Sequence, residues 1–330
     1  MILSPKETGK YICDHATHVK LNPKGIEKLG DILIEEINSG HLRPDNFSQT
    51  DCHPKPGDLN AVDWIFVVDT LNFCFWHFED KEAWQVEGYS GYYALCAAIK
   101  RAIKEGIDIL NPNLTATITE EQLRNVLRGD TEVEIPLLPE RVRCLHEVSQ
   151  ILIDKFAGSF RNVVITAENS AKTLLSLIVN NFSCFKDEAV FMDRPVSFYK
   201  RAQILIGDIW ACFKGQGLGY FKDIDDEMTM FADYRVPQTL LWFGVFEYSK
   251  HLSDKLKRDI LKNGDIEEQE IRGCSIHAVE LLKDYANKKL ASKATNSVLI
   301  DHFLWDFRRK HAQEIANMGL PFHKVFCIYY

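Results

Sequence analysis

Trp64-Ile65-Phe66-Val67-Val68-Asp69 is the stretch whose reading decides the fold, because only here does the chain look convincingly like strand. Leu71-Asn72-Phe73-Cys74-Phe75-Trp76 and Trp84-Gln85-Val86 follow with the same aromatic and β-branched bias, so the three runs are expected to form a small antiparallel sheet. Outward from it the signals are helical. Upstream, Ile26, Leu29, Ile32, Leu33 and Ile37 keep a helical period up to a stop at Gly40. A polar loop over 43–60, rich in Asp, Pro and Gly, joins the two and carries Asp51-Cys52-His53-Pro54. Downstream, Tyr92 to Ile99 opens a helix that ends near Gly106, and Thr119 with Gln122 makes a capping box for Leu123, Val126 and Leu127. Pro139 opens a further helix, and others are expected over 170–182, 197–213, 237–248, 274–289 and 296–315. The segment 250–273, dense in Lys, Asp and Glu, reads as exposed helix and loop. The fold class predicted is mainly α with a small antiparallel β element packed near the N-terminus.

Composition narrows the function. A chain of 330 residues that is 46% hydrophobic and 26% charged can bury a large core. Its net charge of −8 argues against a protein that grips a nucleic-acid backbone, so no stable nucleic-acid complex is expected. The 20 Phe, 11 Tyr and 6 Trp suit a pocket that stacks a flat ring, although most of them belong to a core. Nine scattered cysteines, none in a C-x-x-C pair, indicate neither a disulfide framework nor a zinc knuckle. The N-terminus has no long apolar region of the secretory kind, and no stretch of about 18 apolar residues occurs. A reduced, soluble, cytoplasmic protein is expected, off the membrane.

Three segments hold the groups that chemistry uses. In Phe231-Ala232-Asp233-Tyr234-Arg235-Val236-Pro237-Gln238, Pro237 suits the first turn of a helix. Asp233 is therefore expected just before a helix N-terminus, among rings that exclude water. A carboxylate there is either a helix cap or a group held ready for a developing positive charge. In Arg194-Pro195-Val196-Ser197-Phe198-Tyr199-Lys200-Arg201, cations occupy a helix start, where the macrodipole prefers anions. Lys200 and Arg201 there suit a phosphate, or are simply two solvated cations on an amphipathic helix. In the run 300–309, Asp301 and Asp306 lie five residues apart, roughly 140° round a helix. Two acids among aromatics in mid-helix are costly unless paired, by Arg308 or Arg309, or used. His53 has the marks of an ordinary loop histidine. His15 and His18 would suit a metal if a carboxylate joined them, though nothing in their spacing demands one. No nucleophile elbow, P-loop or dinucleotide fingerprint occurs, and the run 215–219 is glycine-rich but follows a helix rather than a strand.

At these residues the chain resembles the queuosine salvage protein family, the queuosine 5′-phosphate N-glycosylases. The resemblance rests on Asp63-Trp64-Ile65-Phe66-Val67-Val68-Asp69, Leu71 to Trp76, Tyr89-Ser90-Gly91-Tyr92, Arg194 to Gln203, Phe231 to Gln238, and Ile300 to Arg309. These ordered blocks span most of the chain. The resemblance implies a mainly helical fold like that of helix-hairpin-helix DNA glycosylases, in a single glycosylase-like unit over 1–330. Residues 1–110 would form an N-terminal α/β portion, and 111–330 a helical portion carrying most of the site. It implies hydrolysis of the N-glycosidic bond of queuosine 5′-monophosphate, releasing queuine for reuse in tRNA. Asp233 would be the catalytic carboxylate, with Phe231, Asp301, Asp306 and His53 around the base. Lys200, or else Arg201 or Arg235, would meet the 5′-phosphate. No cofactor and no metal are called for, and a monomer is expected. The other readings are a queuine-binding protein that cleaves nothing and a DNA glycosylase, which the acidic net charge disfavours.

Overall fold

The run 64–69 is helix, not strand. In the computed structural model, which describes residues 1–44, 47, 50–78 and 81–330, it lies within the helix Ala61–Thr70. Nine of the ten residues of that helix are buried, so its apolar surface goes all the way round and leaves no alternation to tell helix from strand. Segment 71–76 belongs to no helix or strand, and Cys74 takes a φ of +48°. Its carbonyls are satisfied by a buried arginine instead: Arg141 donates to Leu71 O, to Phe73 O at 2.5 Å and to Cys74 O at 3.3 Å. The Cys74 amide donates to Tyr330 O. Of the expected sheet, only the hairpin Gln85–Val86 with Tyr89–Ser90 exists. Two further antiparallel pairs, Val19–Leu21 with Phe246–Tyr248 and Glu188–Phe191 with Arg194–Ser197, and a lone parallel bridge between Leu261 and Val325 complete the β structure among the described residues. The chain is thus mainly helical with small antiparallel sheets. No helix among the described residues is long and apolar enough to cross a membrane.

The chain forms two compact units that alternate along the sequence. One comprises Met1–Arg43, Asp187–Gln203 and Asp223–Phe326, the other Pro44–Lys186, Ile204–Lys222 and Cys327–Tyr330. The second unit is built round the helix Ala61–Thr70, where Phe66 stacks on Phe160 at 4.1 Å and neighbours Phe182 and Phe185. The Thr119 capping box forms as expected, with reciprocal bonds of 3.1 and 2.8 Å to Gln122. The polar loop expected over 43–60 is described only in part, since residues 45, 46, 48 and 49 lie outside the described set.

The first unit is organised by the helix Ile266–Lys289, against which Pro5–His15, Pro23–Asn38, Val236–Trp242 and Ser297–Lys310 pack. Glycines let Pro5–His15 come close to the long helix: a Cβ on Gly9 would stand 2.7 Å from Ile276, and one on Gly273 2.6 Å from Ile12. Part of the expected exposed segment 250–273 is in fact core. Glu267, Glu268, Gln269, Glu270 and Arg272 are all buried in the first two turns of the long helix. Their charges are met internally, which makes burial tolerable. Glu270, for example, accepts from the amides of Thr17, His18 and Val19 and fixes the entry to strand Val19–Leu21. Two other boundaries move. The expected helix 237–248 is the helix Val236–Trp242, a turn at Gly244 with φ of +70°, and then strand Phe246–Tyr248. The expected helix 197–213 begins only at Lys200, because strand Arg194–Ser197 precedes it and Tyr199 turns the chain with a φ of +50°.

Candidate active site

Asp233 stands where its neighbours in sequence put it, one turn ahead of the helix Val236–Trp242. Its Oδ1 accepts from the amides of Arg235 and Val236, both at 2.8 Å. Among the described residues no hydrogen bond reaches Oδ2. The cap and the reactive group are therefore compatible, since one carboxylate oxygen anchors the turn and the other stays available. The segment leading to it is pinned residue by residue. Gln203 Oε1 accepts from the Thr229 amide at 2.9 Å, Asp301 Oδ1 from the Phe231 amide at 2.9 Å, and Ala232 O from Arg272 Nε at 2.9 Å. Met228 to Ala232 are all buried, whereas Asp233 is half-buried. Such fixing holds a charge in place before any substrate arrives.

Asp301 is buried on the helix Ser297–Lys310 and makes no ion pair with an arginine among the described residues. Burial pushes its carboxyl well above the ordinary range, and the nearby Asp233 charge pushes the same way. The Phe231 amide and the Lys200 ammonium oppose the rise without cancelling it. Asp306 is half-buried, and its carboxyl too is raised by burial against the pull of Lys310 and Arg309. The pairing of either acid with Arg308 or Arg309 is therefore not what the structure holds: Arg308 turns to Gln238, and Arg309 lies over Trp305.

Because Asp301 holds its proton more tightly folded than unfolded, stability declines as pH rises from the ordinary carboxylate value to the raised one. Asp301→Asn keeps an acceptor for the Phe231 amide and removes the titration. We expect its melting temperature to match the wild type in acid and to exceed it by a few degrees above the window, in scans between pH 4 and 9. A difference that does not change with pH would refute the assignment.

Lys200 and Arg201 are not solvated cations, being 6% and 1% exposed. The Lys200 amide donates to Asp187 Oδ2 at 3.2 Å, which gives the helix start the anion it prefers. Asp187 is the partner of Arg272, which donates to its two oxygens at 3.1 and 2.5 Å, to Glu268 at 3.1 Å, and lies 4.1 Å over the Phe198 ring. This network was not read from the sequence, nor was His302. The His302 ring stands 6.1 Å from that of Phe231, and burial pushes its pKa down to about 4, so it is neutral at physiological pH. Its position directly after Asp301 was the available signal.

His53 belongs to the other unit and is not a surface residue. It is 7% exposed, bonds Phe47 O through Nδ1 at 2.9 Å, stacks on Phe47 at 4.0 Å, and has Trp64, Tyr92 and Tyr93 round it. His15 and His18 turn to different partners, Tyr11 O and Ser249 Oγ. His18 instead groups with His251 and Glu267, within 4.8 Å, where the Lys255 ammonium already meets Glu267 at 2.7 Å.

One unit thus brings together a carboxylate fixed by two backbone amides and a second, buried carboxyl pushed up by its burial and by the charge of the first. The profile of the queuosine salvage protein family matches residues 52–330, and the chain belongs to that family. It is 42% identical over 341 residues to a protein of Bos taurus called queuosine 5′-phosphate N-glycosylase/hydrolase, covering all of this chain and 99% of that one. Proteins of the same name from Schizosaccharomyces pombe and Sphaerobacter thermophilus are 34% and 37% identical. The first covers 98% of this chain and 99% of its own, the second 90% of each.

Proposed function

We propose that this protein is an N-glycosidase that hydrolyses queuosine 5′-monophosphate and releases queuine for salvage. The observation that carries the reading is Asp233, with one oxygen locked by two amides and the other available, in a chain whose relatives bear that enzymatic name. Cleavage of a ribosyl–base bond passes through an oxocarbenium-like state, and a preorganised carboxylate stabilises or traps it. Queuine is a 7-deazaguanine, so no N7 is present to take a proton and help the base leave. Its departure has to be assisted by hydrogen bonds elsewhere on the ring. A carboxyl kept protonated by burial, as Asp301 is, donates such a bond. Asp306 accepts from the polar substituents of the base, and Phe231 lies along its face. His53 keeps the substrate-binding role that the family resemblance gives it, and Lys200 supplies positive charge to the nucleotide. We also read the helical scaffold as akin to that of helix-hairpin-helix DNA glycosylases, on the support of its helical content alone. The protein acts in this reading as a cytoplasmic monomer without metal or cofactor.

Chromatography of free queuine after incubation with queuosine 5′-monophosphate tests the activity directly. We expect stoichiometric release of base and ribose 5-phosphate. Tight binding of queuine with no release would point to a carrier instead.

A further inference from the structure

His18, His251 and Glu267 come together from three separate segments, at a place that the chemistry above does not use. His18 immediately precedes strand Val19–Leu21, His251 lies in the first turn of the helix Lys250–Arg258, and Glu267 lies in the first turn of Ile266–Lys289. One ligand atom of each lies within 4.8 Å of the others. Bonds that involve none of the three side chains already fix the backbone beneath them. Glu270 accepts from the His18 amide at 2.6 Å, His18 O accepts from the Ser249 amide at 2.8 Å, and Ser249 Oγ caps the helix Lys250–Arg258 through the Leu252 amide. The same Ser249 Oγ stands 3.2 Å from His18 Nδ1 and holds the ring, and the two imidazole centroids are 5.1 Å apart. His251 Nε2 and Glu267 Oε1 are separated by 3.4 Å. That is long for a hydrogen bond, but it matches the edge of a zinc tetrahedron, about 3.4 Å for bonds near 2.0–2.1 Å. The Lys255 ammonium, 26% exposed, meets the same Oε1 at 2.7 Å.

We propose that His18, His251 and Glu267 bind a zinc ion, with water in the fourth position, and that the ion clasps the three segments together. Two imidazoles and one carboxylate are a donor set for zinc rather than for magnesium or calcium, which call for oxygen ligands throughout. The ion takes the place of the Lys255 ammonium on Glu267 Oε1, and a partly exposed ion pair of that kind contributes little by itself. Ser249 orients the His18 ring as an outer-shell partner does in zinc sites. None of these residues is among those assigned to base release. The ion therefore serves the fold and not the reaction, and the inference is independent of the nucleotide reading.

Calorimetric titration of the metal-stripped protein with zinc chloride, thermal melting and cobalt(II) absorption test the site in wild type, His251→Ala and Lys255→Met. The His251 side chain is 63% exposed, so replacing it leaves the core intact. Wild type is expected to take up zinc at this site and to melt a few degrees higher with the ion in excess, while magnesium and calcium leave the melting temperature where it was. Loss of one ligand predicts an affinity at least about 10-fold lower in His251→Ala, with the gain in melting temperature lost as well. Lys255→Met removes a competing cation and is expected to bind zinc about threefold more tightly, or better. Cobalt(II) in wild type should show tetrahedral visible bands without thiolate charge-transfer absorption, which separates this site from the nine cysteines. No uptake of zinc by wild type, an affinity unchanged in His251→Ala, weaker binding in Lys255→Met, or a cobalt spectrum dominated by thiolate absorption would each overturn the site.

Discussion

Asp233→Asn is expected to fold as the wild type does and to release base about 10³-fold more slowly, or less. The two halves of the prediction come from the two oxygens of the side chain. Asn at this position still accepts from the amides of Arg235 and Val236, and Asn is among the best residues before a helix. The turn and its melting temperature should therefore survive. What disappears is the negative charge that the proposed mechanism sets against the positive charge of the transition state. Asp233→Ala is the informative companion. It removes charge and cap together, so a stability loss of about 1 kcal/mol should join the loss of rate. Calorimetric melting and base release, measured on both variants, separate capping from chemistry. Full turnover by Asp233→Asn would end the central claim of the mechanism.

The sequence made the turn at Asp233 legible because the bonds that cap it are local, to the amides two and three residues on, although Gln203, Asp301 and Arg272 pin the residues before it from afar. Pro237 announces a helix, and the aromatics announce a dry setting. The same was true of the Thr119 capping box, whose partners are three residues apart. The helix Ala61–Thr70 failed for the opposite reason. A fully buried helix and a fully buried strand carry the same apolar run, and what distinguishes them here is packing against Phe160, about 100 positions away. Segment 71–76 read as strand from its aromatic residues, whereas its carbonyls take their donors from the side chain of Arg141, which no local pattern indicates. Segment 266–272 misled in the same way. Charged residues read as exposed unless their partners are known, and the partners of Glu270 and Arg272 lie about 250 and 85 positions off. Of the site, the acidic residues were readable as residue types in a helical register. That Asp301 is pushed up by burial rather than paired to an arginine is a tertiary fact.

Arg272→Met should be the most damaging single change outside the residues that meet substrate. Methionine fills a similar space, so the effect is one of charge rather than of volume. The substitution leaves Asp187 and Glu268, 3% and 1% exposed, without the cation that both share. Breaking one side of a buried ion network costs about 3–5 kcal/mol, which in a chain of this length corresponds to a fall in melting temperature of roughly 4–7 °C. A second consequence reaches the site. Arg272 Nε holds Ala232 O at 2.9 Å, next to Asp233, and its partner Asp187 receives the Lys200 amide, so one network fixes both segments. Release of base should slow even at temperatures where the variant is folded. Arg272→Met combined with Asp187→Asn and Glu268→Gln separates the two effects. Neutral partners no longer leave buried charges stranded, so much of the melting temperature should return, whereas the Ala232 carbonyl still lacks its donor and turnover should stay low. Recovery of turnover in step with stability would instead mean that Arg272 serves the fold alone and that Asp233 is positioned by its own cap.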